Sequence, residues 1–292
     1  MKKLQLFKEK IEQMNKFSQE IESVKMAIGN VEASSSQKGN GYPREYKVFS
    51  QWGEDGIIQW LINNIHINCK KFIEFGVQNY TESNTRFLLK HDNWSGLIID
   101  GDEKNIEYVK RDDIYWRYDL KAVRQFITVD NINDIFKSNG FDGEIGLLSV
   151  DIDGNDYWVW KAINCINPQI VICEYNHRFG KEAAVTVPYR ADFVREKAHY
   201  SCIYYGASIR AFVSLADEKG YSLVAGNSNG NNIFFVRNDC LNSIVQKRSI
   251  DECFAHGKFR ESRNEDGSLA FLSLQEEQEL LSKLDFVDVS EQ

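Results

Sequence analysis

Three aspartates, Asp151, Asp153 and Asp156, interrupt the run LLSVDIDGNDYWVWKAI between two apolar stretches. Carboxylates this close to a core serve a cation, a turn or a reaction. A calcium loop of the EF-hand type needs glycine at its sixth position and glutamate at its twelfth. Counted from Asp151, those places hold Asp156 and Ala162, so the spacing fails. The run reads instead as a strand ending at Asp151, a turn at Gly154 and a helix starting near Asp156, whose charge suits the helix N-terminus. Asp151 then faces the space beyond its strand, while Asp153 is open between turn and ligand. Further acids close or approach the ends of other apolar runs: Glu74 in KFIEFG, Asp100 in GLIIDGD and Glu174 in PQIVICEYN. One acid at a strand end carries little information. A set recurring over several strands lines a crevice.

The elements that must position these acids alternate. SQWGEDGIIQWLINNI, SNTRFLLKHD (Ser83 as cap), DEKNIEYVKR, DNINDIFKSNG (Asp130 as cap, Gly140 as stop), DYWVWKAI and SIRAFVSLADEKG carry helical periodicity. Between them lie KFIEFG, GLIIDGD, VRQFIT, IGLLSVD and PQIVICEYN as buried strands, and YSLVAG with NNIFFVRND as a terminal hairpin. Such alternation predicts an α/β fold, a mostly parallel sheet covered on both faces with an antiparallel hairpin at its end. Ligands of such sheets sit beyond the carboxyl ends of the strands, where the strand order reverses.

Four segments are expected: a helix over 1–32, a linker over 33–47, the main domain over 48–240 with a substrate insertion at about 177–208, and a C-terminal helical extension over 241–292. In the first, Leu4, Phe7, Ile11, Met14, Phe17, Ile21, Val24, Ile28 and Val31 recur in steps of three and four. The consecutive three-steps at Met14 and Phe17 make a stammer. A narrow apolar seam on a charged helix seeks a partner, so a homo-oligomer through this helix is expected. In the extension, Ser273 and Glu276 form a capping box before LQEEQELLSKL.

The composition, 42% hydrophobic and 13% aromatic over 292 residues, supplies a sizeable core. A net charge of −8 argues against nucleic acid as a partner. The six cysteines form no C-x-x-C pair and read as free thiols of a reducing compartment, so the expected location is cytoplasmic. Charges at Lys8, Glu9 and Lys10 break the opening before any signal-peptide core forms, and no apolar run is long enough to span a membrane.

Chemically, Gly76 in the Glu74-x-Gly76 core lets backbone approach a ligand, while Glu74 anchors a cationic group or orients the loop. Gln78 and Tyr80 stand where a dinucleotide loop would carry further glycines, which disfavours a pyrophosphate and so an NAD-linked enzyme. Asp100 and Asp102 follow the second strand, where an acid takes ribose hydroxyls. An adenosine without phosphates, bearing a cationic amino-acid tail, points to S-adenosylmethionine. A hydroxyl acceptor needs a general base or a divalent ion. Asp151 and His177 are the catalytic candidates, and Asp151, Glu174 and Asn176, or Asp153 in place of Asn176, are candidate ligands for Mg2+ or another divalent cation. Tyr189, Tyr204 and Tyr205 are candidates to stack on an acceptor or to pack the insertion down. Lys258, Arg260 and Arg263 make a basic turn or an anion clamp.

The succession Glu74-x-Gly76, IIDGD, TVDNIND, LLSVDIDGNDYWVWKAI, PQIVICEYN and YYGASIRAFVSLADEKGYSLVAGNSNGNNIFFVRND resembles the FkbM-type class I methyltransferases over about 49–239. The resemblance implies a Rossmann-like three-layer sandwich and methyl transfer from S-adenosylmethionine, usually to oxygen, on sugars or secondary metabolites. It gives Glu74, Gly76, Asp100 and Asp151 to the cofactor, and Ser83, Asn84 and Asp102 are further cofactor-binding candidates. The expected acceptor is a sugar hydroxyl, nucleotide-linked or phosphorylated, in surface-polysaccharide or capsule synthesis. The competing expectation is a non-catalytic oligomeric binding protein that keeps the fold.

Overall fold

The computed structural model describes residues 2–35 and 41–290. Helix α1 (Lys2–Ser35) leads into α2 (Glu54–Asn64), β1 (Lys71–Phe75), α3 (Arg86–His91), β2 (Ser95–Asp100), α4 (Glu103–Arg111), α5 (Asp113–Arg117) and β3 (Leu120–Arg124). There follow α6 (Ile132–Ser138), β4 (Gly143–Val150), α7 (Asp156–Ala162), β5 (Ile166–Glu174), the short β6 (Val185–Thr186) and α8 (Arg195–Ala198). The chain closes with α9 (Ile209–Lys219), β7 (Tyr221–Gly226), β8 (Asn232–Arg237), α10 (Ile250–Cys253), α11 (Leu274–Leu281) and β9 (Val287–Asp288).

Seven strands form one sheet in the order β3-β2-β1-β4-β5-β8-β7. The strands from β3 to β5 pair in parallel, and β8 runs against both of its neighbours. Strand alternation sends side chains to two cores. Phe72, Ile98, Leu147 and Ile170 pack with α2, α3, α4 and α5 on one face. Ile73, Leu97, Leu148 and Val171 pack with α6, α7 and α9 on the other. This is the expected Rossmann-like three-layer sandwich with its antiparallel hairpin.

Two local expectations are corrected. The third strand is Leu120–Arg124, so Gln125 to Thr128 lie past its end. Asp130 does not cap α6: the cap position is Asn131, whose side-chain oxygen instead accepts from the Thr128 amide at 2.8 Å. The segment from 241 to 290 holds the helices α10 and α11 and also straps the domain. Its β9 pairs with β6 of the insertion, and Cys253 and Val289 enter the main core. The capping box at Ser273 and Glu276 forms as expected.

The first helix is continuous, so the stammer does not break it, and it runs into the expected linker as far as Ser35. Residues 36–40 of that linker lie outside the described residues. Beyond them Tyr42 is pinned, its hydroxyl donating to the Gly226 carbonyl at 2.7 Å. The helix docks on the domain through Glu22, Met26, Gly29 and Ala33. Gly29 lies so close to Phe87 and Val48 that a Cβ there would meet both at 2.8 Å. Glu22 accepts from Arg86 at 2.9 Å and Lys90 at 2.7 Å. The apolar seam is a different face: Phe7, Ile11, Met14, Phe17, Ile21, Val24, Ile28 and Val31 are all exposed. The side chain of Leu4 lies outside the described residues. Among the described residues no helix is long and apolar enough to cross a membrane.

The sheet order reverses between β1 and β4, and their close approach there has a single-residue requirement. A Cβ on Gly76 would stand 1.7 Å from the Asp151 carbonyl oxygen, at a φ of +75°. Gly143 has a similar φ of +71° and open space around it. In chemical denaturation, Gly143→Ala should cost about 1–2 kcal/mol for backbone conformation alone. Gly76→Ala should cost about 2–5 kcal/mol, since overpacking is added. Equal losses would show that the two strand ends have room to spread.

Candidate functional site

The register puts the residues after four strands side by side. Phe75 pairs with Ile99 and with Val150, and Val150 pairs with Cys173. The next residues are Asp100, Gly76, Asp151 and Glu174, a row across the carboxyl edge of the sheet. A cavity opens over Asp100, Gly76 and Asp151 of this row, bounded by these and by Gln78, Asp153, Gln125, Phe126, Ile127 and Phe193.

Two acids build the walls on the β1 and β2 side. Glu74 is buried, and its carboxylate accepts from the Asn84 amide at 2.8 Å, the Thr85 amide at 3.0 Å and the Thr85 hydroxyl. It therefore orients the loop after β1. Burial pushes its carboxyl up to about 7 against these hydrogen bonds. Asn84 extends the brace to β4, donating to the Ser149 hydroxyl at 3.1 Å, and the Ser83 hydroxyl accepts from the Arg86 amide at 3.2 Å at the start of α3. Asp100 ties the loop after β1 to that after β2, accepting from the amides of Gln78 and Asp102, both at 2.8 Å, and from Asn105 at 3.1 Å. Its carboxylate still borders the cavity. Asp102 is elsewhere: it is exposed and caps α4 by accepting from the Lys104 amide at 2.8 Å.

On the β4 and β5 side, Asp151, Asp153 and Glu174 converge, each offering an oxygen within 4.8 Å of the others. Burial raises the carboxyls of Asp151 and Glu174 well above the ordinary range, and their negative neighbours raise them further. Arg195 from the insertion supplies the nearest positive charge, donating to Asp153 at 2.7 Å with its guanidinium 4.0 Å over the Tyr205 ring. Asp156 is structural, as its place at the helix start suggests: it accepts from the amides of Ile152 at 2.7 Å and Gly154 at 2.8 Å.

Two candidates turn away from this cluster. The Asn176 amide donates to the carbonyls of Ile203 at 2.9 Å and Tyr205 at 3.0 Å, and its oxygen accepts from the Arg178 amide at 3.2 Å, so Asp153 completes the acid group in its place. His177 is not at the mouth of the crevice. Its ring is buried under Gly257, beside His256 and Phe259, and neither ring nitrogen has a hydrogen-bond partner among the described residues. Burial, with the charges of Arg178 and His256, pushes the imidazole down to about 3. A general base works best near the operating pH, so this ring is poorly poised for that task.

The tyrosines pack the insertion down. Tyr204 donates to the Asp285 carbonyl and Tyr205 lies beneath Arg195. Of the basic turn, Lys258 donates to the Ser228 hydroxyl at 3.1 Å and Arg263 to the Gly267 carbonyl at 3.1 Å. Sequence reasoning missed Gln125, Phe126 and Ile127, because VRQFIT was placed wholly within a strand. It also missed Phe193, one of several aromatics in the insertion. Glu54 was missed too. This buried acid accepts from Asn227 at 2.7 Å and Asn232 at 2.9 Å, which joins α2 to the hairpin loop.

No protein-family model and no curated protein matches the chain. Among solved structures, the N-terminal domain of EvdMO1 with SAH bound is similar at 10% identity, over 72% of this chain and 95% of that one, with a TM-score of 0.42. The O-methyltransferase from Bacillus cereus in complex with SAH is similar at 13% identity, over 73% of this chain and 91% of that one, with a TM-score of 0.39. PKMT2 from Rickettsia typhi is similar at 13% identity, over 73% of this chain and 57% of that one, with a TM-score of 0.41. The class of fold rests on this chain's own strand order.

The raised carboxyl of Asp151 has a signed consequence. The folded state holds a proton that the unfolded chain has already released, so this group's contribution to stability falls as pH rises from about 4 through the folded pKa. In EDTA and without ligand, Asp151→Asn should raise the melting temperature at pH 8 and change it little at pH 4.5. A gain that does not depend on pH would contradict the electrostatic account.

Proposed function

We propose that the chain is an S-adenosylmethionine-dependent O-methyltransferase of the FkbM type. The observation that carries the reading is the crevice lined by Asp100, Gly76 and Asp151 at the point where the strand order reverses, with Glu174 next to Asp151 in the row. Asp100 would take the ribose hydroxyls with the lone pairs it does not use on the loop amides. The backbone around Gly76, with Asp151 beside it, would receive the amino-acid end, where clustered carboxylates favour an ammonium and a sulfonium. Gln125, Phe126 and Ile127, past the end of β3, would close the adenine side.

S-adenosylmethionine supplies an electrophilic methyl group on sulfur. On transfer an acceptor oxygen would bond to that carbon as the carbon–sulfur bond leaves its electron pair on sulfur, and the hydroxyl proton would have to pass to a group of this chain. Asp151, on the cavity wall and with Glu174 beside it, would receive it, and its raised affinity for protons suits a base better than an ordinary carboxylate would. Asp151, Asp153 and Glu174 are also oxygen donors of the kind that hold Mg2+, which would lower the hydroxyl pKa and orient it. Holding acceptor and methyl in line is worth about 7–11 kcal/mol where alignment is good. The sugar acceptor and its place in surface-polysaccharide synthesis follow from the resemblance, with Phe193 and the insertion over the crevice to select it.

Two tests follow from these assignments. By calorimetry, Asp100→Ala should weaken S-adenosylhomocysteine binding about 10–100-fold, the loss of hydrogen bonds to a charged group. Asp102→Ala, outside the cavity, should leave affinity within about two-fold of the native protein. Comparable losses from both would contradict the ribose assignment. In an assay of labelled methyl transfer to a sugar panel, EDTA should abolish turnover and added magnesium restore it. Turnover indifferent to EDTA would assign the proton to a carboxylate without a metal.

A further inference from the structure

We infer that two copies of the chain join in parallel through the seam of α1, while each helix stays docked on its own domain. The helix uses two faces that do not compete. With Ile21 and Ile28 at heptad positions a, and Val24 and Val31 at d, the residues docked on the domain fall at the remaining outer positions: Glu22 and Gly29 at b, Met26 and Ala33 at f. At 100° per residue the centres of the two faces lie roughly 150° apart. Docking therefore turns the seam outward rather than burying it.

The seam is long and exposed at each described residue, with only Ile21 at the edge of a groove between the helix and the domain. Every described side chain from Gln5 to Ile21 is exposed. Residues 2–17, ahead of the groove that Ser18 and Gln19 line with the domain, thus reach out by about 24 Å at 1.5 Å per residue. A free helix half of this length, striped with phenylalanine, isoleucine and methionine, needs a cover.

Charge selects the cover. Glu20 stands at position g and Lys25 at the following e, the pair that meets across a parallel, in-register two-stranded coil. Isoleucine at the a positions Ile11, Ile21 and Ile28 fits the same geometry. A membrane surface fits less well. The apolar residues make a narrow seam, and residues 1–35 carry six lysines against five glutamates, close to balance. The two-fold axis would run along the seam, leaving the crevice over β1 and β4 of each copy outside the contact. The inference does not depend on the chemistry of that crevice.

Sedimentation of the full chain should give twice the 33.8 kDa chain mass. Ile28→Glu, at a residue 55% exposed in the single chain, should give one chain mass with an unchanged circular dichroism melt of the domain. Glu20→Lys or Lys25→Glu should each raise the dimer dissociation constant about two- to five-fold, and the two together should restore it. The Ile28→Cys variant, once oxidised, should form a cross-linked dimer that the native protein lacks. A monomer at all concentrations, a dimer indifferent to Ile28→Glu, no rescue by the double charge swap, or no cross-link in the oxidised Ile28→Cys variant would each overturn the parallel dimer. So would a monomer that floats with anionic phospholipid vesicles.

Discussion

The crevice depends on one close contact, the passage of Gly76 beneath the carbonyl of Asp151 where β1 and β4 leave the sheet in different directions. A side chain at residue 76 would push the two strand ends apart. With glycine there, the residues after β2, β1, β4 and β5 stay in one row, and the loops that follow diverge to open a cavity. Glu74 keeps that opening in shape from below. Its carboxylate is buried at some cost, but it holds the far end of the loop through the amides of Asn84 and Thr85. Asp100 makes the equivalent tie between the loops after β1 and β2. The acids of this edge thus divide into those that hold loops and those that confront the cavity, and Asp100 does both.

The second organising feature is an excess of negative charge on the β4 and β5 side. The burial of Asp151 and Glu174 and the nearby charge of Asp153 raise the proton affinity of those two carboxyls, and Arg195 offsets only part of that charge. Arg195 also fastens the insertion, donating to the Cys202 carbonyl at 2.6 Å. The insertion is in turn held by the C-terminal strap through the β6–β9 pairing and the buried contact of Arg178 with Glu277 at 3.0 Å. The electrostatics of the crevice, the seating of the insertion and the strap are therefore one mechanical unit. A positively charged ligand at the acids would enter a site already biased toward it.

Much of this was legible in the sequence because period and punctuation carry it. The alternation of apolar runs with helical stripes gave the sandwich, and acids recurring at strand ends marked the edge that matters. What escaped was set by three-dimensional context. VRQFIT is apolar enough for a strand, but the ladder with β2 begins at Leu120 and ends at Arg124, which frees Gln125 to Ile127 for the cavity. His177 and Asn176 directly follow a strand that ends in an acid, which resembles a ligand pattern. Only the strap at Gly257 and the carbonyls of Ile203 and Tyr205 show that both side chains are consumed by packing. Glu54 is an acid at a helix start with nothing in the sequence to set it apart, and two asparagines of the distant hairpin donate to it. In α1 the seam was visible from spacing alone, but the separate docking face, built from a glycine, an alanine and a glutamate, was not.

A crystal structure of the protein with S-adenosylhomocysteine tests the central claim most directly. The account places the ribose hydroxyls within hydrogen-bond distance of the Asp100 carboxylate and the amino-acid end beside Gly76 and Asp151. The sulfur would lie on the side of the crevice facing Glu174. A complex in which the ligand avoids this row, or a crevice left empty at saturating ligand while NAD occupies it, would contradict the account.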